Sequence, residues 1–190
     1  MKILVFDNYD SFTYNLVHMI RELGYGDHMD IYRNDKIGME EIARYDKILL
    51  SPGPGLPADA GIMEQLIKTY SEKKSILGIC LGHQGIAEVF GARLFNLPVV
   101  LHGVTKTAML TSDSELLFKG IPRKVRVCRY HSWAVDANSV PDDMEITAVD
   151  EENVVMGIRH KKFDVRGVQF HPEAYLTEHG MEMIQNWLKN

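Results

Sequence analysis

The first half of the chain alternates short apolar segments with segments of helical periodicity, and this alternation restricts the fold more than any other feature. Residues 2–7, KILVFD, form a nearly continuous apolar run, which is typical of a buried strand. In residues 11–23 the apolar side chains recur at helical spacing, and Gly24 ends that helix. Apolar strands between helices predict a parallel sheet covered on both faces. Further strands are expected at 29–33, 46–50 and 75–79, and further helices at 60–70 and 83–91.

The second half of the sequence follows a different pattern, with short strand-like segments joined by turns. Such segments predict antiparallel pairs that extend or flank the parallel sheet. The expected fold class is therefore α/β, an open, mostly parallel sheet flanked by helices, with added antiparallel strands. No repeat, low-complexity tract or linker interrupts the pattern, so residues 1–190 are expected to form a single domain. The strands are expected at 104–110, 124–130, 144–150, 154–160 and 165–170, and a closing helix at 177–190.

Composition argues against several classes of partner. The formal net charge is -5 and lysine and arginine form no stripe, so nucleic acid is not an expected partner. The apolar run at the amino terminus is too short for a signal peptide, and no segment is long enough to span a membrane, so a membrane is not expected either. Cys80 and Cys128 are far apart and form no metal-ligand pattern. A reducing, cytoplasmic location is therefore expected.

Three loops are expected to leave the carboxyl ends of the parallel strands, where open α/β sheets bind ligands. They are DNYDS (7–11), SPGPGLP (51–57) and CLGH (80–83). In SPGPG, proline fixes the backbone and glycine permits close approach, so the loop is rigid and presents bare amides. Such a cluster alone indicates a stiff turn. Its expected position beside Cys80 makes it a candidate binding loop.

Cys80 lies in the segment GICLG, between an apolar strand and a helix. This arrangement is typical of a nucleophile elbow, with cysteine in the place of serine. The positive end of the following helix favours a thiolate, and the backbone N–H of Leu81 would face an oxyanion on the attacked carbon. The alternative is an inert buried cysteine, the common fate of a free cysteine. Cys128 lies within a predicted strand without flanking glycines and is interpreted as structural.

A thiolate nucleophile needs a base and a group that orients the base. Among the eight histidines, His171 in QFHPEA is distinctive, because Pro172 holds it extended at the end of a strand. Residues two apart on an extended chain face the same side, so Glu173 can orient the His171 ring. Together with the cysteine elbow, this pair predicts a Cys–His–Glu triad.

The other histidines have weaker functional interpretations. His131, in RYHSW, lies at a strand end and is a candidate wall of the site. His83 and His102 border glycines and are expected in turns or at the surface. A metal site is not indicated, because no second histidine or thiolate set accompanies His171 at ligand spacing.

The motifs SPGPG, GICLGHQ and GVQFHPE together resemble those of the triad-type, class I glutamine amidotransferases. The segment FDNYDSFTYNL is similar to one branch of that family, the glutaminase subunits of anthranilate synthase and aminodeoxychorismate synthase. The likeness covers nearly the whole chain. It implies a flavodoxin-like class I glutamine amidotransferase fold and the hydrolysis of L-glutamine.

The resemblance also implies roles for individual residues. Cys80 would form a γ-glutamyl thioester, His171 would protonate the departing ammonia and then activate water, and Glu173 would orient His171. The amides of Gly55 and Leu81 would form the oxyanion hole. The residues expected to contact bound glutamine are Gly53, Pro54, Gly55, Gln84, Ser132 and Trp133.

The same resemblance implies a hetero-oligomer in which ammonia passes to a chorismate-binding synthase subunit, component I. No cofactor is expected in this chain, and a magnesium ion is expected only in the partner subunit. The docking surface is expected at the loop edge, where aromatic and apolar side chains are available for contacts. These side chains are Tyr9, Phe12, Leu56 and Trp133.

Three positions depart from the family pattern. The motif often written H-G-K reads HGV at 102–104, although Lys106 is close in sequence. Trp133 occupies a position where a smaller apolar residue is common. Ala174 follows Glu173 where serine is common. None of these changes touches the predicted triad.

Several other functions fit the same motifs to different degrees. Anthranilate synthesis is preferred, and aminodeoxychorismate synthesis or a glutaminase serving both pathways stays open, because the motifs are shared. An amidotransferase domain that serves another synthase, such as those making GMP or carbamoyl phosphate, is disfavoured by DNYDSFTYNL. A non-catalytic partner-binding module is disfavoured by the intact Cys80, His171 and Glu173.

Overall fold

The computed structural model describes residues 1–98 and 103–190. The helices in these ranges are α1 (Thr13–Glu22), α2 (Met39–Ile42), α3 (Met63–Tyr70), α4 (Leu81–Val89) and α5 (Gly180–Lys189). The strands are β1 (Ile3–Asp7), β2 (Met29–Arg33), β3 (Lys47–Leu50), β4 (Ser75–Ile79), β5 (Leu94–Asn96), β6 (Val104–Leu110), β7 (Lys124–Arg129), β8 (Trp133–Val135), β9 (Met144–Asp150), β10 (Val155–His160) and β11 (Val165–Val168).

Nine of these strands form one sheet, in the order β2-β1-β3-β4-β11-β10-β9-β6-β7. The five strands from β2 to β11 are parallel neighbours, and the remaining four continue the sheet in antiparallel pairs. The predicted α/β fold class is confirmed, and the antiparallel strands extend the parallel sheet rather than pack against it. β5 and β8 pair in a separate two-stranded sheet, which was not predicted.

Each face of the sheet carries its own apolar cluster. Along β1, Val5 belongs to the cluster formed with α1 and α5, whereas Leu4 and Phe6 belong to the cluster formed with α3 and α4. The largest buried side chain is Trp187 of α5. Consecutive strand residues therefore face opposite helical layers, as expected for a parallel sheet covered on both faces. Among the described residues, no helix has both the length and the apolar character needed to cross a bilayer.

Three helices, α1, α3 and α5, begin two or three residues later than predicted, and the late starts of α1 and α5 have a local cause. The segment before α1 forms side-chain bonds instead of a helical turn: Asp10 Oδ1 accepts from the Phe12 amide at 2.7 Å, and Asp7 Oδ1 accepts from Thr13 Oγ1 at 2.8 Å. At α5, a Cβ on Gly180 would lie 1.9 Å from the carbonyl oxygen of Pro172. Glycine thus lets α5 begin directly against the loop that follows β11.

Candidate active site

The carboxyl ends of β1, β3, β4 and β11 lie along one edge of the sheet, because these strands are parallel neighbours. Cys80 follows β4, and the HPE segment follows the adjacent β11. The loops after β1 and β3 are joined by two hydrogen bonds, from the Asn8 amide to Ser51 Oγ at 2.8 Å and from Asn8 Nδ2 to the Ser51 carbonyl at 2.9 Å. The predicted loop edge is therefore present, with His171 and Glu173 added to it.

Cys80 occupies a sharp bend between β4 and α4. Its φ of 51° and ψ of -97° put a non-glycine residue in a strained backbone region, at a cost of about 1–3 kcal/mol that surrounding packing must offset. The packing is close because a Cβ on Gly78 would lie 2.4 Å from the Gly82 carbonyl carbon, and one on Gly82 would lie 2.6 Å from Leu50 Cβ. The Cys80 amide also donates to the Val168 carbonyl at 2.9 Å. The amino-terminal end of α4 therefore lies next to the Cys80 sulfur, which is the geometry of a nucleophile elbow.

His171 and Glu173 lie together, as their spacing predicted. His171 Nδ1 is 2.6 Å from Glu173 Oε1, and both side chains are buried. The loop is held to β7, because the His171 amide donates to the Cys128 carbonyl at 3.0 Å and Thr177 Oγ1 donates to the His171 carbonyl at 2.6 Å. With Nδ1 bonded to the carboxylate, the second ring nitrogen, Nε2, is available for the reacting groups.

The position of His171 between a thiol and a carboxylate controls its protonation. Burial lowers the pKa of His171, but the Cys80 sulfur and the Glu173 carboxylate together outweigh burial and raise the pKa to about 10. Nε2 is buried and has no well-aligned hydrogen-bond partner within the described residues, so we interpret its interaction with the sulfur as an electrostatic contact. The site therefore favours the protonated form of His171, an imidazolium, beside the Cys80 sulfur.

Two aromatic rings enclose His171. The rings of Phe12 and Tyr130 meet the imidazole edge-on, with centroids 5.6 Å and 5.0 Å away, and they contact each other at 5.1 Å. Edge-on aromatic contacts orient a ring and exclude water. Phe12, expected on the docking surface, therefore packs within the site.

Gln169 is part of the site and was missed by sequence reasoning. Its Nε2 is 3.6 Å from the Cys80 sulfur, and its Oε1 accepts from Gln84 Nε2 at 3.1 Å. Gln84 Nε2 also donates to the Trp133 carbonyl at 2.8 Å. Gln169 is fully buried. It connects Gln84 and the Trp133 carbonyl to the Cys80 sulfur by hydrogen bonds. The one available signal was the position of Gln169 two residues before His171.

His131 lies behind this glutamine cluster, beside the buried Arg129–Asp150 ion pair. Burial is the largest cause that lowers the pKa of His131 to about 3, and the Arg129 charge adds to it. His131 Nδ1 lies 2.7 Å from the Trp133 carbonyl, and Arg129 Nε donates to its Nε2 at 3.0 Å. The predicted wall of the site is therefore a neutral histidine that supports the backbone at Trp133.

The prediction that His83 lies in a turn or at the surface is wrong. His83 lies within α4, is fully buried, and burial lowers its pKa to about 4. The glycines around it do not mark turns; Gly82 lets α4 approach Leu50 closely, and a Cβ on Gly167 of β11 would lie 2.9 Å from the Cα of His83. His102 lies outside the described residues.

The loop predicted to bind glutamine lies against the start of α4. A Cβ on Gly53 would come within 2.7 Å of the Leu81 side chain, so the two segments touch. Pro54 and Leu81 also line a cavity of about 460 Å³ between the loops after β1 and β3. Gly55 is exposed at the end of the loop with a φ of 75°, and Ser132 is half-buried beside His131.

The side chains that depart from the family pattern lie around this arrangement, in which Trp133 takes part through its backbone carbonyl. Val104 is an exposed residue of β6, and Lys106 Nζ pairs with Glu152 Oε1 at 2.5 Å. Trp133 is half-buried in β8, and Ala174 is buried. Within the described ranges, no group of three or more histidine, cysteine, aspartate or glutamate side chains is arranged to hold a metal ion.

A strained cysteine after a parallel strand, facing a histidine held by a carboxylate, defines a class of α/β enzymes that attack carbonyl carbons through a thiolate. Comparison with known proteins narrows this class. The family described as "Glutamine amidotransferase class-I" matches residues 4–190. The chain belongs to this family, as the motifs indicated.

Curated relatives cover the chain almost completely. A multifunctional tryptophan biosynthesis protein of Phycomyces blakesleeanus is 46% identical over 99% of the chain, but the chain spans only 24% of that protein. Anthranilate synthase component 2 of Cyanophora paradoxa is 42% identical over 98% of this chain and 97% of its own length. Aminodeoxychorismate synthase component 2 of Escherichia coli is 43% identical over 98% of both.

A solved structure supports the fold directly. A Thermoplasma acidophilum protein, described as a candidate GMP synthase subunit, superimposes with a TM-score of 0.88 at 30% identity. The match covers 100% of this chain and 92% of the other. The α/β fold of this chain is thus the class I glutamine amidotransferase fold.

Proposed function

We propose that Cys80, His171 and Glu173 hydrolyse the side-chain amide of L-glutamine, and that the ammonia passes to a chorismate-using synthase subunit. The observation that carries this proposal is the buried histidine between the elbow thiol and a carboxylate, with its pKa raised to about 10. Such an arrangement provides a nucleophile together with a proton donor for the leaving group. These groups suffice for the reaction, so the chain needs no cofactor of its own.

The first half of the reaction forms a thioester. The Cys80 thiolate adds to the amide carbon, and the resulting oxyanion is stabilised by the amides of Gly55 and Leu81. The His171 imidazolium then gives its proton to the departing nitrogen, so that the C–N bond breaks and ammonia leaves. The Glu173 carboxylate holds the ring and stabilises its charged form.

The second half releases glutamate. Neutral His171 removes a proton from water, and the hydroxide adds to the thioester carbon to give a second oxyanion. Collapse of this oxyanion expels the Cys80 thiolate, and the imidazolium is restored. Bound glutamine is held by residues around the elbow, as in the family motif. They are Gly53, Pro54, Gly55, Gln84, Ser132 and Trp133.

Relatives named as the second component of a synthase support the partner assignment. We favour anthranilate synthesis because the Phycomyces and Cyanophora relatives carry tryptophan or anthranilate names. The Escherichia coli relative favours the alternative, aminodeoxychorismate synthesis or dual use. Magnesium, in this proposal, belongs to the partner. The free thiol of Cys80 requires a reducing compartment, for which we propose the cytoplasm.

The docking surface is proposed at the loop edge, next to the site. Tyr9 is 48% exposed there, and Tyr175 and Leu176, which follow the triad segment directly, are 99% and 49% exposed. Exposed aromatic and apolar side chains at one edge are typical of a protein interface. Leu56 and Trp133 are half-buried at the loops predicted for docking.

The experiment that tests the proposal compares Cys80→Ser with Cys128→Ala in the assembled synthase. Cys80→Ser should abolish glutamine-dependent product formation, because a hydroxyl is far less nucleophilic than a thiolate at neutral pH. Synthesis from added ammonia should persist, since ammonia enters after the cysteine step. Cys128→Ala, a buried cysteine on β7, should retain glutamine-dependent synthesis. Retained glutamine use by Cys80→Ser would overturn the proposal.

A further inference from the structure

A buried series of hydrogen bonds leads from β9 to the nucleophile. It begins at Asp150, whose carboxylate accepts from the Arg129 guanidinium. Arg129 Nε donates to His131 Nε2 at 3.0 Å, and His131 Nδ1 lies 2.7 Å from the Trp133 carbonyl. The side chains of Asp150, Arg129 and His131 are buried, so these bonds form in a medium of low dielectric constant, where they are strong and specific.

The series continues through two glutamines to the sulfur. The Trp133 carbonyl accepts a second bond, from Gln84 Nε2 at 2.8 Å, and Gln84 Nε2 also reaches Gln169 Oε1 at 3.1 Å. Gln169 Nε2 then lies 3.6 Å from Cys80 Sγ. This distance is compatible with a hydrogen bond to sulfur, whose radius is larger than that of oxygen.

The donor and acceptor of each bond follow from the two groups whose roles are fixed, the Arg129 guanidinium and the Trp133 carbonyl. A guanidinium only donates, so His131 Nε2 accepts and the proton is on Nδ1. A backbone carbonyl only accepts, so the Gln84 atom facing Trp133 must be the amide nitrogen. That NH₂ group then donates its second hydrogen to Gln169, whose facing atom must be oxygen. The remaining atom of Gln169, its NH₂ group, therefore faces Cys80.

We propose that Gln169 is a further residue of the glutaminase reaction, in which its side-chain amide donates to the Cys80 sulfur and stabilises the thiolate. The inference rests on the proposed role of Cys80 as nucleophile. A hydrogen bond to a charged acceptor is about twice as strong as one between neutral groups. Gln169 has no proton to lose near neutral pH, so the donor stays in place when His171 gives up its proton and the thiolate departs from the thioester.

Other groups around the sulfur do not replace this donor. His171 interacts with the sulfur from the loop after β11. Glu173 bonds to His171, Arg129 bonds to His131, and His83 lies on α4, which begins directly after Cys80. His83 and His131 are neutral at physiological pH, since burial lowers the pKa of each, and Arg129 is paired with Asp150. The remaining charged donor, His171, changes its charge during the reaction. Gln169 is the constant donor.

The test measures alkylation of Cys80 by iodoacetamide as a function of pH, with the isolated chain. Gln169→Met keeps the side-chain length and removes the donor, so less thiolate should be present at a given pH. The midpoint of the alkylation profile should rise by about one pH unit, which is a tenfold loss of thiolate below the midpoint. Gln65→Met, the same change at an exposed position of α3, should leave the midpoint unchanged. An unchanged midpoint in folded Gln169→Met overturns the proposal.

A second variant decides the matter if Gln169→Met does not fold. Gln84→Met releases the Gln169 amide from its fixed orientation, so the midpoint should move in the same direction by a smaller amount. An unchanged midpoint in folded Gln84→Met then overturns the proposal. Alkylation does not require glutamine turnover. A shifted midpoint in a chain whose assembled synthase shows no glutamine-dependent activity would therefore contradict the proposed function while upholding the Gln169 contact.

Discussion

At the residue scale, the chemistry depends on which group carries the proton. Burial alone would keep His171 neutral, but the adjacent sulfur and the Glu173 carboxylate reverse that preference. The imidazolium of His171 is therefore present before substrate arrives, and the proton is already on the group that must deliver it to the departing nitrogen. The aromatic edges of Phe12 and Tyr130 hold the ring in this position.

If Glu173 only orients His171, changing Glu173 should cost less activity than changing His171. His171→Ala removes the acid and the base, and kcat should fall by roughly 10²–10⁴. Glu173→Gln should lower kcat less, because an amide oxygen can still accept from Nδ1 but cannot stabilise the imidazolium. Steady-state glutaminase assays of both variants with the partner subunit provide the measurement. Equal losses would show that Glu173 does more than orient His171.

At the element scale, the packing of α4 on the sheet explains both the elbow and an unusual buried histidine. Gly78 and Gly82 allow α4 to approach β3 and β4 without side chains between them. His83 packs against β11, where a Cβ on Gly167 would lie 2.9 Å from the His83 Cα. Neither ring nitrogen of His83 has a well-aligned hydrogen-bond partner within the described residues. A buried imidazole without hydrogen bonds lowers the free energy of unfolding. The loss is larger at a pH low enough to protonate the imidazole in the unfolded chain.

His83 therefore makes stability depend on pH. Its folded pKa of about 4 is below the ordinary value of 6.5, so between these values the unfolded chain binds a proton that the folded chain does not. The free energy of unfolding should therefore decrease as pH falls through this window. In His83→Leu this decrease should be smaller by up to about 3 kcal/mol. Urea unfolding at pH 4.5 and 7 measures the difference, with His28→Leu, an exposed histidine, as control. A pH slope unchanged by His83→Leu would contradict this explanation.

Sequence patterns predicted most of the elements, and the pairing of His171 with Glu173, because these features depend on residues close in sequence. The strand–helix alternation, the GICLG bend and the two-residue spacing of His171 and Glu173 are local signals. The contacts of Gln169 join residues 85 and 89 positions apart, which no local pattern encodes. The same is true of the burial of His83, because the neighbouring glycines indicate turns unless the close packing of α4 on the sheet is known.

At the scale of the whole molecule, the loop edge has two uses in our proposal, as the mouth of the glutamine site and as the docking surface. The exposed Tyr9, Tyr175 and Leu176 lie on segments that lead directly into the site. Ammonia released into water is protonated and cannot attack chorismate, so efficient transfer requires docking around the opening. Docking can also complete the oxyanion hole by reorienting an amide of the GPG loop.

This coupling predicts low glutaminase activity for the isolated chain. Activity should rise when the chorismate-binding subunit is added and rise further with chorismate, and Tyr175→Asp should weaken the rise by disturbing the interface. Met109→Asp, a change at an exposed position of β6, should leave the partner-dependent rise in activity unchanged. Ammonia release in steady state, measured against partner concentration, provides the comparison. Full activity from the isolated chain would show that the oxyanion hole is complete before docking.

The most direct measurement of the central claim is covalent labelling of the assembled synthase with a glutamine analogue that carries an electrophilic carbon in place of the amide. If Cys80 is the nucleophile, peptide mapping by mass spectrometry should find one adduct per chain, on Cys80, with glutamine-dependent activity lost in proportion. Glutamine should protect against labelling, and Cys80→Ser should take up no label. An adduct on Cys128 or another residue, or full labelling of Cys80→Ser, would contradict the account.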